Sequence, residues 1–230
     1  MPAAAADRAT LATGSIEAAR RLIGAHLVRD DRVGTRVGRI VEVEAYIGTE
    51  DLASHARFGR TGRNGVMFGP PGFAYVYLVY GMYECLNVVT EPEGRPAALL
   101  IRAVEPLAGA ELMREARLDW TAARYANQPA DRQARARRRV AELPTAVLAS
   151  GPGLVCAAFS IGRTQHGLDL CDPASPLRLE AGTRGEPALR IASGPRIGIG
   201  YAAEPWRSKP WRFWAEGNAA VSAVVRESPR

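Results

Sequence analysis

Lysine is almost missing from this chain: of thirty basic side chains in 230 residues, Lys209 is the one lysine and the others are arginine. Imine chemistry through a lysine therefore has a single candidate nucleophile, far along the chain from the tyrosine-rich stretch at 75–83. Cysteine and histidine are also scarce. Cys85, Cys156 and Cys171 are odd in number and never spaced as CxxC, a pattern of free thiols rather than of a disulfide frame or zinc knuckle. His26, His55 and His166 are scattered and HExxH does not occur, so no metal is expected. No apolar run approaches about 18 residues and MPAAAADRAT has no signal-peptide core, which predicts an intracellular protein without a membrane partner.

What is present fits one globular domain, with 47% hydrophobic and 23% charged residues in a length that can bury a real core. A net charge of +6 suits a polyanionic partner, and arginine binds phosphate through a planar fork of donors. A GC-rich genome would also favour arginine over lysine, so the ratio alone does not define a binding surface.

Ser15 can cap a helix over 16–25 with Ala18, Ala19, Leu22 and Ile23 on its apolar side. HLVRD and VGRIVEVEAYI then alternate as strands, with Val41 and Val43 opposite Glu42 and Glu44. A Gly-, Arg- and Pro-rich loop, SHARFGRTGRNGVMFGPPG, leads to FAYVYLVYGMY, where Tyr75, Tyr77, Tyr80 and Tyr83 fall within nine residues around a turn at 80–82. ECLNVVT and AALLIRAVEP complete a meander. Helices are expected over 106–118 and 131–143, the second carrying Arg132, Arg135, Arg137, Arg138 and Arg139, which reads first as a solvated face. SGPGLVCAAFSI reads as a turn entering a short helix, with the N–H groups of Gly151 and Gly153 open to an anion such as phosphate. Short strands and turns are expected in the C-terminal third, including PRIGIGYA and SKPWRFWAEG.

Glu44 and Tyr46 project from one face of a strand, pairing a possible base with a flat ring. An isolated glutamate on such a strand would by default face solvent. Arg102 lies in a strand apolar enough to be buried, where a guanidinium needs a partner, either in a site or as an ion pair to Glu42 or Glu105. Asn87, a polar amide in the apolar CLNVV, is either a satisfied core group or a reader in a pocket. Aromatic rings beside arginines suit a base that has left its stack, and they also suit an RNA-binding module.

Taken in order, VEVEAYIGTEDLASH, GRTGRNGVMFGPPGFAYVYLVYGMYECLNVV, ALLIRAVEPL, SGPG and RIGIGYAAEPWRSKPWRF closely resemble the eukaryotic-type 3-methyladenine (alkyladenine) DNA glycosylase family, which has bacterial members. The resemblance implies a mixed α/β (α+β) single domain over 14–226, between a flexible N-terminus at 1–13 and a tail at 227–230. It implies a curved antiparallel sheet, surrounding helices and a protruding β-hairpin that intercalates into DNA. The implied activity is that of a monomeric, monofunctional glycosylase without cofactor or metal. It would flip alkylated or deaminated purines out of double-stranded DNA and leave an abasic site.

Residue by residue, the resemblance makes Glu44 the base that activates water, with Arg102 and the carbonyl of Ile199 helping to hold that water, and leaves Glu42 structural. Tyr46 would stack on one face of the flipped base, with His55 and Tyr77 against the other. The backbone of Ala53 would read the base edge and Asn87 would crowd the guanine amino group. Tyr80 would fill the vacated gap, and Met82 would hold the hairpin against the opposite strand. Arg63 and Asn64 belong to a loop that either contacts phosphate or anchors itself, and Tyr75 and Tyr83 are read as sheet residues. Leu154 stands where many relatives carry a phosphate-binding lysine, a contact that Arg163 or the arginine-rich helix could replace. A noncatalytic minor-groove binder would share the hairpin but would have no use for Glu44 and Arg102.

Overall fold

The computed structural model describes residues 6–79, 81–183 and 188–222. Helices α1 (Arg8–Ala12) and α2 (Ser15–Leu22) lead into strands β1 (His26–Asp31) and β2 (Gly34–Ile47). The hairpin of β3 (Ala74–Val79) and β4 (Tyr83–Thr90) follows, then β5 (Ala97–Ala108). Next come α3 (Ala110–Tyr125), α4 (Ala130–Ala141), β6 (Ala149–Ser150) and α5 (Pro152–Ala158). Strands β7 (Leu177–Glu180), β8 (Ile191–Gly194) and β9 (Arg212–Ala215) end the described chain. No helix among the described residues is long and apolar enough to cross a membrane.

The strands form one antiparallel sheet in the order β3-β4-β5-β2-β1-β7, with β6 on β5 and β8 joined through β9 to β2. The mixed α/β, single-domain architecture expected from the sequence is the one observed. β2 organises it. Along one edge it pairs with β5 from Val37 to Ile47, while its other edge is shared by β1 up to Arg39 and by β9 over Glu42–Glu44. Register shifts flank Glu42, between Ile40 and Glu42 and between Glu42 and Val43. Such bulges bend a strand and re-aim its side chains. Simple alternation therefore fails here: residues 40–45 of β2 are all buried, the two glutamates included.

The main core lies where α2 and α5 cover this sheet. Ala18, Ala19 and Leu22 of α2 and Val155, Ala158 and the adjoining Phe159 meet Ile40, Val43, Leu99 and Ile101. Each large side chain so removed from water contributes about 1.5–3 kcal/mol before entropy is counted.

Two local expectations are corrected. Ser15 does not cap α2 but is its first residue; Gly14 is the cap, and the Ser15 hydroxyl bonds Thr90 Oγ1 and Glu91 Oε1 at 2.9 Å, tying α2 to the end of β4. The helix expected from Pro106 begins at Ala110, because β5 stays paired with β2 as far as Ala108. Near the N-terminus, residues 8–12 form α1, with Leu11 buried and Arg8 bonded to Asp169 at 2.5 Å. PRIGIGYA forms turns and bends, and its polar groups are used on the site described next.

Candidate active site

Glu44 points from the forked part of β2 into the protein and is wholly buried. Its Oε2 accepts from the Tyr46 hydroxyl at 2.9 Å, so the same-face spacing read in the sequence becomes a direct bond. Oε1 accepts from the Ile197 N–H at 2.7 Å and lies 3.2 Å from Nη1 of Arg102. A carboxylate offers about four lone-pair positions; three are taken, and Oε2 keeps one. Burial pushes the Glu44 carboxyl above its usual range, against the pull of Arg102, Ile197 and Tyr46. Burial also raises the Tyr46 hydroxyl far above its usual value, so it remains a donor.

Arg102 bridges the two glutamates of β2. Its Nε donates to Glu42 at 3.0 Å while Nη1 faces Glu44. Burial pulls its pKa down, but the two carboxylates outweigh burial and hold it above the ordinary value. Glu42 is saturated, accepting also from Arg212 Nε at 2.6 Å, Ser222 N at 2.7 Å and Ser222 Oγ at 2.6 Å. The Glu42 carboxylate is fully occupied, whereas Glu44 keeps one acceptor position, although it is fully buried and does not itself line the neighbouring cavity.

Tyr46, Arg102 and Ile197, the three groups that touch Glu44, line a cavity of about 500 Å³. Ala53, His55, Tyr77, Asn87 and Ile199 line it too, so β2, the hairpin and two loops converge on one space. His55 and Tyr77 meet edge to face at 4.5 Å, and His55 Nδ1 lies 2.8 Å from the Tyr75 hydroxyl. Burial, with Arg63 and Arg57 adding to it, lowers the His55 pKa to about 4, so the imidazole is neutral at pH 7. Asn87 donates Nδ2 to the carbonyls of Tyr75 at 3.0 Å and Cys85 at 3.4 Å, and it lines the cavity. Tyr75, read as a sheet residue, is also part of the cavity wall.

Backbone groups around the cavity make bonds of their own. The Ala53 N–H is already donated to Asp51 Oδ1 at 3.0 Å and its carbonyl accepts from Tyr201 at 3.3 Å. The Ile199 carbonyl accepts a turn bond from Ala202 N at 2.9 Å, and Ile199 lines the cavity. Arg63 donates to the Leu78 carbonyl at 3.0 Å, and Asn64 bonds the carbonyls of His55 and Gly59, so loop anchoring is what both do here. The Gly151 N–H is not open to an anion, because it donates to the Arg102 carbonyl at 2.9 Å. Gly153 is buried beneath Tyr83: a Cβ there would sit 2.3 Å from the ring. Tyr83, also read as a sheet residue, seats the hairpin on α5 and on Trp120 of α3, whose ring centre is 5.3 Å away. Met82, 44% exposed, lies at the hairpin turn, and Tyr80 lies outside the described residues.

Sequence reasoning missed the Asp51–Arg196 pair. Both side chains are fully buried; Arg196 bonds Asp51 through two nitrogens at 2.6 and 2.9 Å and reaches the Ala45 carbonyl at 2.9 Å. Its guanidinium lies over the Tyr46 ring at 4.6 Å. The pair ties the 48–54 loop to the loop bearing Ile197 and backs one face of Tyr46. Its only sequence signal was a charged residue inside each of two motifs separated by about 145 positions.

Buried carboxylates, a paired arginine and an aromatic-lined cavity thus lie together beside the hairpin. The methylpurine-DNA glycosylase family model matches residues 9–219, and the chain belongs to that family. Among curated relatives, a protein of Methanocella arvoryzae named "Putative 3-methyladenine DNA glycosylase" is 46% identical, covering 94% of this chain and 92% of its own length. Proteins of the same name from Myxococcus xanthus and Bacillus cereus are each 42% identical, covering 89% and 90% of this chain and 86% and 94% of their own.

Proposed function

We propose that this protein is a monofunctional glycosylase that takes alkylated or deaminated purines of duplex DNA into the cavity and hydrolyses their N-glycosidic bond. The observation that carries this reading is the buried Glu44 carboxylate, held by Arg102, Tyr46 and Ile197, three residues that themselves line the cavity. A water held there passes a proton to Glu44 as its oxygen bonds C1′. The C1′–N bond breaks and its electron pair leaves with the purine, giving a free base and an abasic site. Fixed negative charge beside the sugar stabilises the oxocarbenium-like transition state.

Tyr46 and Tyr77 offer ring faces to a flipped base. Alkylation at a purine ring nitrogen makes the base cationic, which such faces favour, and the neutral His55 adds no opposing charge. Taking the base out of the stack costs a few kcal/mol, offset by stacking in the cavity and by a hairpin residue in the gap. Tyr80 is our choice for that gap, with Met82 facing the opposite strand. The reading of Asn87 as a gate against guanine rests on its fixed amide in the cavity wall. Lys209, the sole lysine, lies over Trp206 and Trp211 at 4.0 and 4.3 Å and does not line the cavity, which supports hydrolysis without strand cleavage.

The test is base release from duplexes bearing 3-methyladenine, 7-methylguanine, hypoxanthine or ethenoadenine, with chelator present. Alkali-labile sites should form on at least one of them. Release from none would overturn the enzyme reading in favour of a noncatalytic binder, and breakage without alkali would overturn the monofunctional one.

A further inference from the structure

A second depression borders the same hairpin. It has a volume of about 610 Å³, is lined by Gly81 and Met82 on the hairpin side and by Trp120, Arg124, Gln128 and Arg132 on the helical side, and shares no lining residue with the base cavity. The Arg124 guanidinium lies over the rings of Tyr83 and Trp120, at 4.9 and 5.4 Å. Arg132 bonds only the neutral Gln128 oxygen, at 3.2 Å, and neither arginine forms an ion pair among the described residues. Farther along α4 the pattern differs, since Arg135 and Arg138 are neutralised by Asp131 and Glu142. Two exposed, uncompensated guanidinium groups, one of them held in place by stacked rings, thus face a groove at the hairpin tip.

We infer that this groove holds the complementary, undamaged strand of the duplex, with Arg124 and Arg132 on its phosphates and Trp120 and Met82 against its sugar–base edge. The inference rests on the reading that the hairpin enters DNA. A wedge between two strands delivers the damaged nucleotide to one depression and leaves the other for the partner strand. Charge sign and planar donor geometry both suit phosphate. Tyr83, packed on Gly153 and Trp120, joins the wall of the groove to the hairpin.

Fluorescence anisotropy with a duplex carrying a stable abasic analogue, and with the analogue-bearing strand alone, tests this in wild type and in Arg124→Gln/Arg132→Gln. The double variant should lose about tenfold or more of the preference for duplex over single strand, and its log Kd against log salt slope on duplex should fall by about 2, one per phosphate. Arg124→Lys/Arg132→Lys, which keeps both charges, should restore most of that slope. Equal losses on both substrates, or no loss on either, would overturn the assignment. Wild-type base release is scored separately: an inactive wild type with altered variant binding removes the glycosylase reading alone, and an active wild type with unaltered variant binding removes the groove alone.

Discussion

Replacing Glu42 by Gln should cost far more stability than the same change at Glu44, although both carboxylates are fully buried two residues apart on β2. Glu42 accepts four hydrogen bonds, from Arg102, Arg212 and two Ser222 donors, all between 2.6 and 3.0 Å. A glutamine offers one oxygen, and its NH₂ would be set against donors. The Arg212 side chain, 6% exposed, would lose its only ion-pair partner among the described residues, while Arg102 would keep Glu44. Breaking a buried pair from one side costs about 3–5 kcal/mol. At roughly 2–4 °C per kcal/mol for a chain of this size, Tm should drop by about 6–20 °C. Glu44→Gln removes a carboxylate that burial already disfavours and leaves the Arg102–Glu42 bond in place, so its Tm should change by less than about 4 °C, equivalent to about 1 kcal/mol. Thermal melts of the two variants at pH 7.5 decide this. Wild-type stability in Glu42→Gln, or a larger loss in Glu44→Gln, would refute the division of labour between the two glutamates.

Other consequences can be measured directly. Gly153→Ala puts a Cβ 2.3 Å from the Tyr83 ring and should lower both Tm and duplex affinity, whereas Gly162→Ala, with nothing within 4 Å, should leave both near wild type. His55 titrates near 4 in the folded chain against 6.5 unfolded, so it favours the fold above about pH 6.5, and that contribution is lost as pH falls towards 4; urea midpoints of wild type and His55→Gln should diverge least at the acid end. Asn87→Ser should raise release of mismatched guanine relative to hypoxanthine in single turnovers, and an unchanged ratio would return Asn87 to a structural role.

Much of this architecture was legible because it is local. The meander of β3, β4 and β5 follows from apolar runs broken by turn residues, and the Glu44–Tyr46 bond from a spacing of two on a strand. Less legible was what depends on distant partners. An alternating reading sends Glu42 to solvent, but Arg102 and Arg212, 60 and 170 positions away, make its burial tolerable. Pro106 looks like a helix start, yet pairing of β5 with β2 outweighs that local preference until Gly109. The open look of Gly151 and Gly153 in sequence hides an N–H already used and a ring that needs the missing Cβ. The donation from the Ile197 N–H to Glu44 had no signal in the sequence, because it joins positions 153 apart.

The most direct test of the central claim is single-turnover excision by Glu44→Gln on the lesion duplex best cleaved by wild type. Glutamine keeps the size and an acceptor oxygen but can neither take the proton from water nor supply negative charge beside the sugar. Excision should therefore fall by at least about 10²-fold while the lesion duplex is still bound. A folded Glu44→Gln protein that releases the base at close to the wild-type rate would contradict the account.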